Sequence, residues 1–239
     1  MIFDISNKKI IITGCSSGIG KFLTLELLKR NAIIIGISRK KPEIKNKNFY
    51  WYKCDLKNIT EIKKETKSIK KKFKTIDSLI NNAGISEEGY HEKNFEKNLQ
   101  INLFSNFFLV KEILKLMKKK GGNIVNISSI CSILAFPNNP GYNSSKSALN
   151  SLSRSIALDY GKFKIRSNVL ILGYFKTGMT QKSFKIKKKY LERSNRTILK
   201  RWGNLNEIIG PIIFLVSDSS SYITGQNIIV DGGWTTKGL

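Results

Sequence analysis

Short apolar runs alternate with helical patterns along the whole sequence. The runs are rich in isoleucine and valine and have the length of strands. Continuous apolar strands that are separated by helices are typical of a parallel sheet covered by helices on both faces. We therefore predict an α/β fold of the doubly wound type. The predicted strands are residues 8–13, 32–37, 48–54, 78–84, 122–129, 164–172 and 226–233.

The segments between these runs carry apolar residues at the spacing of amphipathic helices. Neither a proline- or serine-rich linker nor an internal repeat interrupts the alternation, so residues 1–239 are predicted to form one domain. Residues 175–200 are the least strand-like stretch, and we predict that they form a mobile lid over a bound substrate. The predicted helices cover residues 18–30, 58–73, 94–118, 141–160, 179–200 and 206–216.

Lysine and arginine give the sequence a formal net charge of +25. Such a charge is consistent with binding of nucleic acid or of an anionic membrane surface. It is also consistent with a biased composition, because the lysines are spread over several helical segments that have apolar faces of their own. RNP-like aromatic motifs and a helix-turn-helix pattern are both missing from the sequence. We predict no specific nucleic-acid partner and no membrane partner, with a basic nucleic-acid-binding protein as the alternative.

The cysteine and histidine content argues against a disulfide scaffold and against a metal site. The three cysteines, Cys15, Cys54 and Cys131, are an odd number without CxxC spacing, which is typical of reduced cytoplasmic thiols. His91 is the single histidine, so a two-histidine zinc site is excluded and we predict no metal. The first residues lack the regions of a signal peptide, and no apolar run reaches the about 18 residues of a membrane helix. We therefore predict a cytoplasmic protein.

A glycine-rich stretch, TGCSSGIG, lies between the first predicted strand and the first predicted helix. Its first glycine permits a tight turn, and the later glycines let a phosphate approach the backbone closely. The amide groups and the positive dipole at the start of the helix favour a pyrophosphate. This strand–turn–helix unit therefore predicts a Rossmann-type dinucleotide site. The candidate cofactor-binding residues in it are Gly14, Ser17, Gly18, Ile19 and Gly20.

The end of the second predicted strand indicates which dinucleotide is preferred. An acidic residue there would bind the ribose 2′-hydroxyl of NAD. The sequence instead has Ser38, Arg39, Lys40 and Lys41, which offer cations to the 2′-phosphate of NADP. Arginine is rare in this lysine-rich chain, so we give most weight to Arg39. We predict NADP(H) as the favoured cofactor and NAD(H) as the alternative.

Further motifs follow the glycine turn in order along the chain. They are CDL (54–56), NNAG (81–84), QINL (100–103), NISS (126–129), the pair Tyr142 and Lys146, and YITGQNIIVDGG (222–233). In their order and spacing the motifs resemble those of the short-chain dehydrogenase/reductase family, over essentially the whole chain. The resemblance implies a single-domain Rossmann-type fold with a seven-stranded parallel sheet flanked by helices on both faces. It also implies cofactor contacts from Asp55, Leu56, Asn82, Ala83 and Gly84.

The resemblance assigns the chemistry to four residues. Ser129 lies thirteen residues before Tyr142, which is the family's usual spacing, and Lys146 lies four residues after Tyr142. In the family the lysine also contacts the cofactor ribose. Asn102 falls where the family's catalytic asparagine lies, and that asparagine secures a water that links the lysine to solvent. A residue that only kinks a helix is the alternative interpretation of Asn102. The candidate catalytic residues are Asn102, Ser129, Tyr142 and Lys146.

The spacing of Tyr142 and Lys146 suits proton transfer. Residues four apart share one face of a helix. An ammonium beside a phenol favours the phenolate, so we expect it to lower the phenol's pKa from about 10. Such pairs also arise by chance in a lysine-rich chain, and Tyr160 with Lys164 form a second one. Because that pair lacks a serine-bearing strand upstream, we predict that Tyr160 faces solvent.

The segment after the sixth predicted strand departs from the family pattern. In the family, a proline and a glycine usually precede a threonine that contacts the nicotinamide. Here Leu172 replaces the proline, whereas Gly173 and Thr177 are present. Thr177 remains a candidate cofactor contact, in a turn that we expect to be less rigid.

The resemblance implies an NAD(P)-dependent oxidoreductase that interconverts a carbonyl and a secondary alcohol. The segments TGMTQKSF (177–184) and VDGGWTTKG (230–238) resemble members that act on sugars, polyols or polysaccharide precursors. A 3-oxoacyl acyl-carrier-protein reductase is the alternative, and a non-catalytic nucleotide-binding regulator is the alternative of another class. Family members commonly form tetramers through the helices matched here by 94–118 and 141–160. We therefore predict a homo-oligomer, a tetramer or a dimer.

Overall fold

A parallel sheet crosses the centre of the protein, in a computed structural model that describes residues 3–237. Its strands are β1 (Lys9–Thr13), β2 (Ile33–Ser38), β3 (Phe49–Lys53), β4 (Ser78–Asn81), β5 (Gly122–Ser129), β6 (Ile165–Leu172) and β7 (Asn227–Val230). The strand order is β3-β2-β1-β4-β5-β6-β7, and every neighbouring pair is parallel. The strand order reverses between β1 and β4, which is where doubly wound folds bind their ligands.

Helices cover both faces of this sheet. They are α1 (Gly18–Leu28), α2 (Ile59–Lys72), α3 (Glu92–Leu99), α4 (Ser105–Met117), α5 (Pro140–Tyr160), α6 (Gln181–Lys185), α7 (Lys187–Arg196) and α8 (Asn206–Val216). α1 and α8 bury Leu23, Leu27 and Ile212 against one face. α2 and α4 bury Ile69 and Ile113 against the other, together with part of α5. Each face of the sheet therefore has its own hydrophobic core.

The predicted fold class is confirmed: one domain with a seven-stranded parallel sheet and helices on both faces. β4 ends at Asn81, three residues before the predicted end, because the chain turns there towards the glycine turn. Residues 1–2 and 238–239 lie outside the described residues, so the extreme ends of the predicted domain and Gly238 of VDGGWTTKG are not described. Within residues 3–237, every helix is too short or too polar to cross a membrane.

The helix predicted over residues 94–118 is not a single α-helix. α3 and α4 are joined by a π-helical turn at Gln100–Phe104. A π turn inserts one extra residue per turn, and such turns are frequent at functional sites. The predicted helical segment 179–200 is likewise divided, into α6 and α7. Asn58, the first residue of the predicted helix 58–73, caps α2, and its side chain accepts hydrogen bonds from the Thr60 and Glu61 amides.

Gly36 lies in β2 at a point where neighbouring side chains leave no room for a side chain of its own. A Cβ at this position would lie 2.7 Å from the Cys15 sulfur and 2.8 Å from the Phe49 ring. We expect Gly36→Ala to lower the free energy of unfolding by about 1–3 kcal/mol, because the added methyl overpacks a closed core. Gly161→Ala is the matched control, since a Cβ there would meet no atom within 4 Å. Urea unfolding of both variants measures the difference, and equal stabilities would contradict the packing argument.

Candidate active site

The carboxyl ends of the parallel strands open into a cavity of about 990 Å³. Its walls come from the turn between β1 and α1, from the segments that follow β2, β3 and β4, and from the ends of β5 and β6. α5 and α7 also contribute side chains. Parallel strands end at one edge of a sheet, so segments far apart in the sequence meet there. All of the predicted cofactor-binding residues except Gly20 line this cavity.

The glycine turn has the backbone that the motif predicts. Gly14 and Gly18 have φ angles of +69° and +52°, which a residue with a side chain rarely adopts. A Cβ at Gly20 would overlap the carbonyl oxygen of Gly14, so the turn can lie against the start of α1 only without a side chain there. Ser17 begins α1, and its side chain does not cap the helix amides. The first amides of α1 therefore have no side-chain acceptor and can bind an anion. The turn fits the pyrophosphate of a dinucleotide.

Thr13 connects the glycine turn to the segment after β4. Its hydroxyl accepts hydrogen bonds from the amides of Asn82 (2.9 Å) and Ala83 (3.0 Å). The Asn82 side chain in turn donates to the Thr13 carbonyl at 2.9 Å. Thr13 is the first residue of TGCSSGIG, but it is not among the residues that the motif predicts to bind the cofactor. Its role depends on contacts with residues about 70 positions away, and local spacing carries no signal for them.

The segment after β2 places cations beside the cavity. Ser38 is buried, and its hydroxyl donates to the Lys40 carbonyl at 2.7 Å while it accepts from the Trp51 indole at 3.0 Å. These two bonds fix the turn that carries Arg39, which is exposed and lines the cavity. Asp55 and Leu56 line the same cavity from the segment after β3. Arg39, Asp55 and Leu56, which are predicted cofactor contacts, therefore all line this cavity.

Tyr142 and Lys146 lie one helical turn apart near the start of α5. The Lys146 Nζ is 5.8 Å from the centre of the Tyr142 ring and donates a hydrogen bond to the Ile127 carbonyl at 2.9 Å. Ser129, two residues after Ile127, ends β5, and its hydroxyl lies close enough to Tyr142 to affect the ionisation of the phenol. The predicted serine, tyrosine and lysine therefore meet at one point of the cavity wall.

Burial sets the ionisation of this pair. It raises the pKa of the Tyr142 phenol, with a further rise from the Cys131 thiol, and the nearby Ser129 hydroxyl opposes both effects by stabilising the phenolate. Burial also lowers the pKa of Lys146 from 10.5 to about 8. The expected lowering of the tyrosine pKa by the lysine is therefore wrong for the protein alone. The loss of hydration is the largest cause of the shift, because it disfavours the charged phenolate.

Asn102 lies inside the π-helical turn and is completely buried. Its amide side chain accepts from the Ile85 amide at 2.9 Å and donates to the Ile85 carbonyl at 2.9 Å. It also donates to the Ser145 hydroxyl at 3.0 Å, next to Lys146. A Cβ added to Gly84 would lie 3.2 Å from the Asn102 oxygen and 3.4 Å from the Lys146 Nζ. Asn102 thus lies in a distorted helical turn, as the alternative interpretation predicted, and it also lies beside Lys146.

Thr177 lines the cavity, and its amide is bonded to the Thr180 hydroxyl at 3.0 Å. Leu172, which replaces the family's proline, is buried as the last residue of β6. Gly173 follows, where a Cβ would lie 2.8 Å from the backbone of Asp231. Position 173 therefore requires glycine, because a side chain there would meet Asp231. Position 172, where the family has proline, accepts leucine as an ordinary strand residue.

Tyr160 and His91 lie outside this site. The Tyr160 ring is half-buried, 6.2 Å from the Phe163 ring, with the Lys118 ammonium 5.2 Å from its centre. The prediction that Tyr160 faces solvent is therefore wrong, because the end of α5 packs it against its neighbours. His91 is exposed. Within residues 3–237, no group of three or more His, Cys, Asp or Glu side chains is arranged to hold a metal ion.

Residues 14–235 match the protein-family model described as enoyl-(acyl carrier protein) reductase. The chain belongs to the short-chain dehydrogenase/reductase family. Members of this family that match the chain are dehydrogenases and reductases acting on CH–OH groups, and the protein is an oxidoreductase of this class. The family resemblance inferred from the motifs is thereby confirmed.

Similar short-chain dehydrogenases differ in their substrates. A 3-oxoacyl acyl-carrier-protein reductase from Buchnera aphidicola is 34% identical over 96% of this chain and 98% of its own length. A 2-dehydro-3-deoxy-D-gluconate 5-dehydrogenase from Pseudoalteromonas atlantica is 32% identical over 97% of each chain. The structure of a gluconate 5-dehydrogenase from Burkholderia cenocepacia, solved with NADP and tartrate, superimposes with a TM-score of 0.93. It is 25% identical and covers 99% of this chain and 98% of its own.

The lowered pKa of Lys146 predicts a pH dependence of stability in this short-chain dehydrogenase. Between pH 8 and 10.5, the unfolded chain keeps a lysine proton that the folded protein has lost. Folding stability therefore rises with pH across this window, since the buried charge is removed. We expect this rise to be absent from Lys146→Met and retained by Lys111→Met, which changes an exposed lysine. Urea unfolding from pH 7 to 9.5 tests it, and parallel curves for the parent and Lys146→Met would contradict it.

Proposed function

We propose that the protein is an NADP(H)-preferring oxidoreductase that transfers a proton through Tyr142 while it interconverts a carbonyl and a secondary alcohol. The observation that supports this most directly is the meeting of Ser129, Tyr142 and Lys146 at the mouth of the sheet, beside the glycine turn. When bound, the nicotinamide would supply the hydride that such a reaction needs. The chain's own residues must then bind the carbonyl oxygen and deliver a proton to it.

Tyr142 is proposed as the proton donor in the reducing direction. The phenol is protonated at neutral pH, and burial raises its pKa further, so it holds the proton that the reaction needs. The Ser129 hydroxyl is placed to hold the substrate oxygen beside the phenol. Lys146 uses one of its three ammonium hydrogens on the Ile127 carbonyl. Its others are proposed to bind the cofactor ribose and to raise the acidity of the phenol once the cofactor is in place.

Asn102 is proposed to act in the same centre as a positioning residue. Its amide already holds the Ile85 backbone and the Ser145 hydroxyl, so the side chain fixes the wall next to Lys146. The π turn that contains it is the distortion that brings this amide against α5. A water chain from Lys146 past Asn102 to solvent, as the family resemblance implies, would replace the proton that Tyr142 gives up.

The proposed cofactor site extends from the glycine turn to Thr177. The pyrophosphate is assigned to the turn from Gly14 to Gly20, and the adenine to the wall formed by Asp55 and Leu56. The segment from Asn82 to Gly84 would support the adjoining ribose. Arg39 is exposed at the end of β2, where a 2′-phosphate would lie. This supports NADP(H) over NAD(H), and the relative from Burkholderia cenocepacia was solved with NADP.

The proposed substrate is a sugar, a polyol or a polysaccharide precursor. Relatives named for 2-dehydro-3-deoxy-D-gluconate and for gluconate favour this class. The relative at 34% identity favours the second candidate, a 3-oxoacyl acyl-carrier-protein reductase. The oxidation of NADPH and NADH against keto-sugars and 3-oxoacyl thioesters, followed by absorbance, separates the two. A clear preference for the thioesters would overturn the sugar proposal.

The segment 175–200 is the proposed lid, and it supplies Thr177, Met179, Ser183 and Arg193 to the cavity wall.

The proposed assembly is a homo-oligomer, either a tetramer or a dimer formed through α4 and α5. It would cover Phe107 and Leu158, of which Leu158 is 84% exposed. The native mass from light scattering tests that assembly. The reduced thiols are consistent with the cytoplasm as the proposed location.

Removal of the Tyr142 hydroxyl should stop proton transfer. We expect Tyr142→Phe to lower kcat by about 100- to 10,000-fold, because general acid catalysis contributes factors of that size. The dissociation constant of NADPH should change little, since the ring and Lys146 remain. Tyr160→Phe is the control, and it should keep the parent rate. Turnover of the best substrate by Tyr142→Phe at the parent rate would show that another group supplies the proton.

The proposed NADP preference depends on Arg39. We expect Arg39→Ala to weaken NADPH binding by about 10- to 100-fold, as the loss of a hydrogen bond to a charged group does. NADH lacks the 2′-phosphate, so its binding should change by less than about 2-fold. Lys45→Ala removes a nearby exposed charge that does not line the cavity and is the control. Fluorescence titration measures both constants, and an equal loss for NADH would remove the basis of the preference.

A further inference from the structure

A second arginine lines the cavity, at the end that holds Tyr142. Arg193 belongs to α7, in the proposed lid, and its guanidinium carbon is 5.1 Å from the centre of the Tyr174 ring. Tyr174 lies close enough to Tyr142 to affect the ionisation of its phenol. Arg193 is thus near the reacting end, whereas Arg39 follows β2 at the opposite side of the glycine turn.

Aromatic packing holds the ring under this guanidinium in place. The Tyr174 ring centre is 5.0 Å from that of Trp202 and 5.0 Å from that of Trp234. Phe184 of α6 and Tyr190 of α7 pack against Trp202 in turn. This aromatic cluster joins the lid helices to the end of β6, so Arg193 is held over a supported surface and not on a free loop.

The guanidinium of Arg193 has unused hydrogen-bonding capacity. Its Nη1 donates to the Lys189 carbonyl at 3.3 Å, a long bond within α7. Its Nε is buried and has no acceptor among residues 3–237, and no carboxylate in that range lies within 4.0 Å of the guanidinium. A buried donor without a partner is rare in proteins and calls for an acceptor. Nε and Nη2 form the edge of a guanidinium that binds both oxygens of a carboxylate.

The acidic residues of the cavity do not supply that acceptor. Glu43 and Asp55 follow β2 and β3, on the adenosine side. Glu88 follows β4, and its side chain is exposed and lies farther than 4.0 Å from Arg193. An anionic group brought by the substrate would satisfy the guanidinium without displacing an ion pair of the protein.

We propose that Arg193 binds a carboxylate of the substrate, and that the substrate is a polyhydroxy acid and not a neutral sugar or polyol. This inference rests on the proposed function, because it assigns the reacting carbon to Tyr142 and the carboxylate to Arg193. Arg193 is a specificity-determining residue in this scheme.

The test compares an acid with its uncharged amide. Gluconate and gluconamide differ only in that charge, and their binding to the NADP⁺-loaded protein is measured by calorimetry. We expect the parent to bind gluconate at least about 10-fold more tightly than gluconamide. Arg193→Met should weaken gluconate by about 10- to 100-fold and leave gluconamide unchanged, because a charge-assisted hydrogen bond is lost. Arg193→Lys should fall between, since an ammonium cannot make the paired contact.

Arg196→Met is the matched control. Arg196 lies on the same helix and stacks over Trp234 at 5.9 Å, but it does not line the cavity. An equal loss of gluconate affinity in both variants would show general attraction to a basic surface and overturn the inference. Equal affinity of the parent for gluconate and gluconamide would also overturn it. So would a loss of acetoacetyl-coenzyme A binding in Arg193→Met with gluconate unaffected.

The same experiment keeps the inference separate from the proposed function. Binding of gluconate needs no turnover, so it is measured equally well in Tyr142→Phe. If that variant keeps full turnover while the ratio of gluconate to gluconamide affinity depends on Arg193, the proton donor is wrong and the carboxylate site stands. If turnover depends on Tyr142 but the ratio of gluconate to gluconamide affinity does not depend on Arg193, the proposed reaction stands and the carboxylate site is wrong.

Discussion

The hydrogen bond from the Lys146 ammonium to the Ile127 carbonyl holds the proposed site together. It joins α5 to β5 within the low-dielectric end of the sheet. One helical turn earlier on α5 lies Tyr142, and two residues later on β5 lies Ser129, so a single contact sets the relative position of all three. The same burial that makes this contact strong also disfavours the charged lysine and the charged phenol. Burial at this point therefore strengthens the hydrogen bond between α5 and β5 and also shifts the pKa values of Lys146 and Tyr142.

Irregular backbone forms much of the wall around this centre, and side chains from distant elements satisfy it. The Thr13 hydroxyl serves the amides of Asn82 and Ala83, and the Asn102 amide serves both backbone groups of Ile85. Buried backbone groups need such partners when no strand neighbour provides them. Each of these side chains lies at a strand end or in a distorted helix, where the regular ladder stops. The sheet thus provides a rigid edge, and a few polar side chains shape the cavity upon it.

Charge is distributed in keeping with anionic ligands. The formal net charge of +25 is carried mainly by exposed lysines, which raise the local concentration of any anion near the surface. Within the cavity, Arg39 lies on the adenosine side and Arg193 on the side of Tyr142. These two cavity-lining arginines are consistent with the proposed anionic cofactor and the proposed anionic substrate. Surface lysines supply general attraction, and the two arginines are proposed to discriminate between ligands.

The sequence by itself determined the glycine turn, most of the strand positions and the four-residue step between Tyr142 and Lys146, because these features follow from local periodicity and spacing. It placed β5 at residues 122–129 correctly, and the four-residue step brings a tyrosine and a lysine to one face of a helix wherever that helix lies. Contacts between distant segments and the depth of burial were decided only by the tertiary structure. They produced the π turn at Asn102, the role of Thr13, the raised pKa of Tyr142 and the unpartnered edge of Arg193. Dehydration and long-range hydrogen bonds depend on which segments meet, and that is fixed only when the sheet closes and its helices pack.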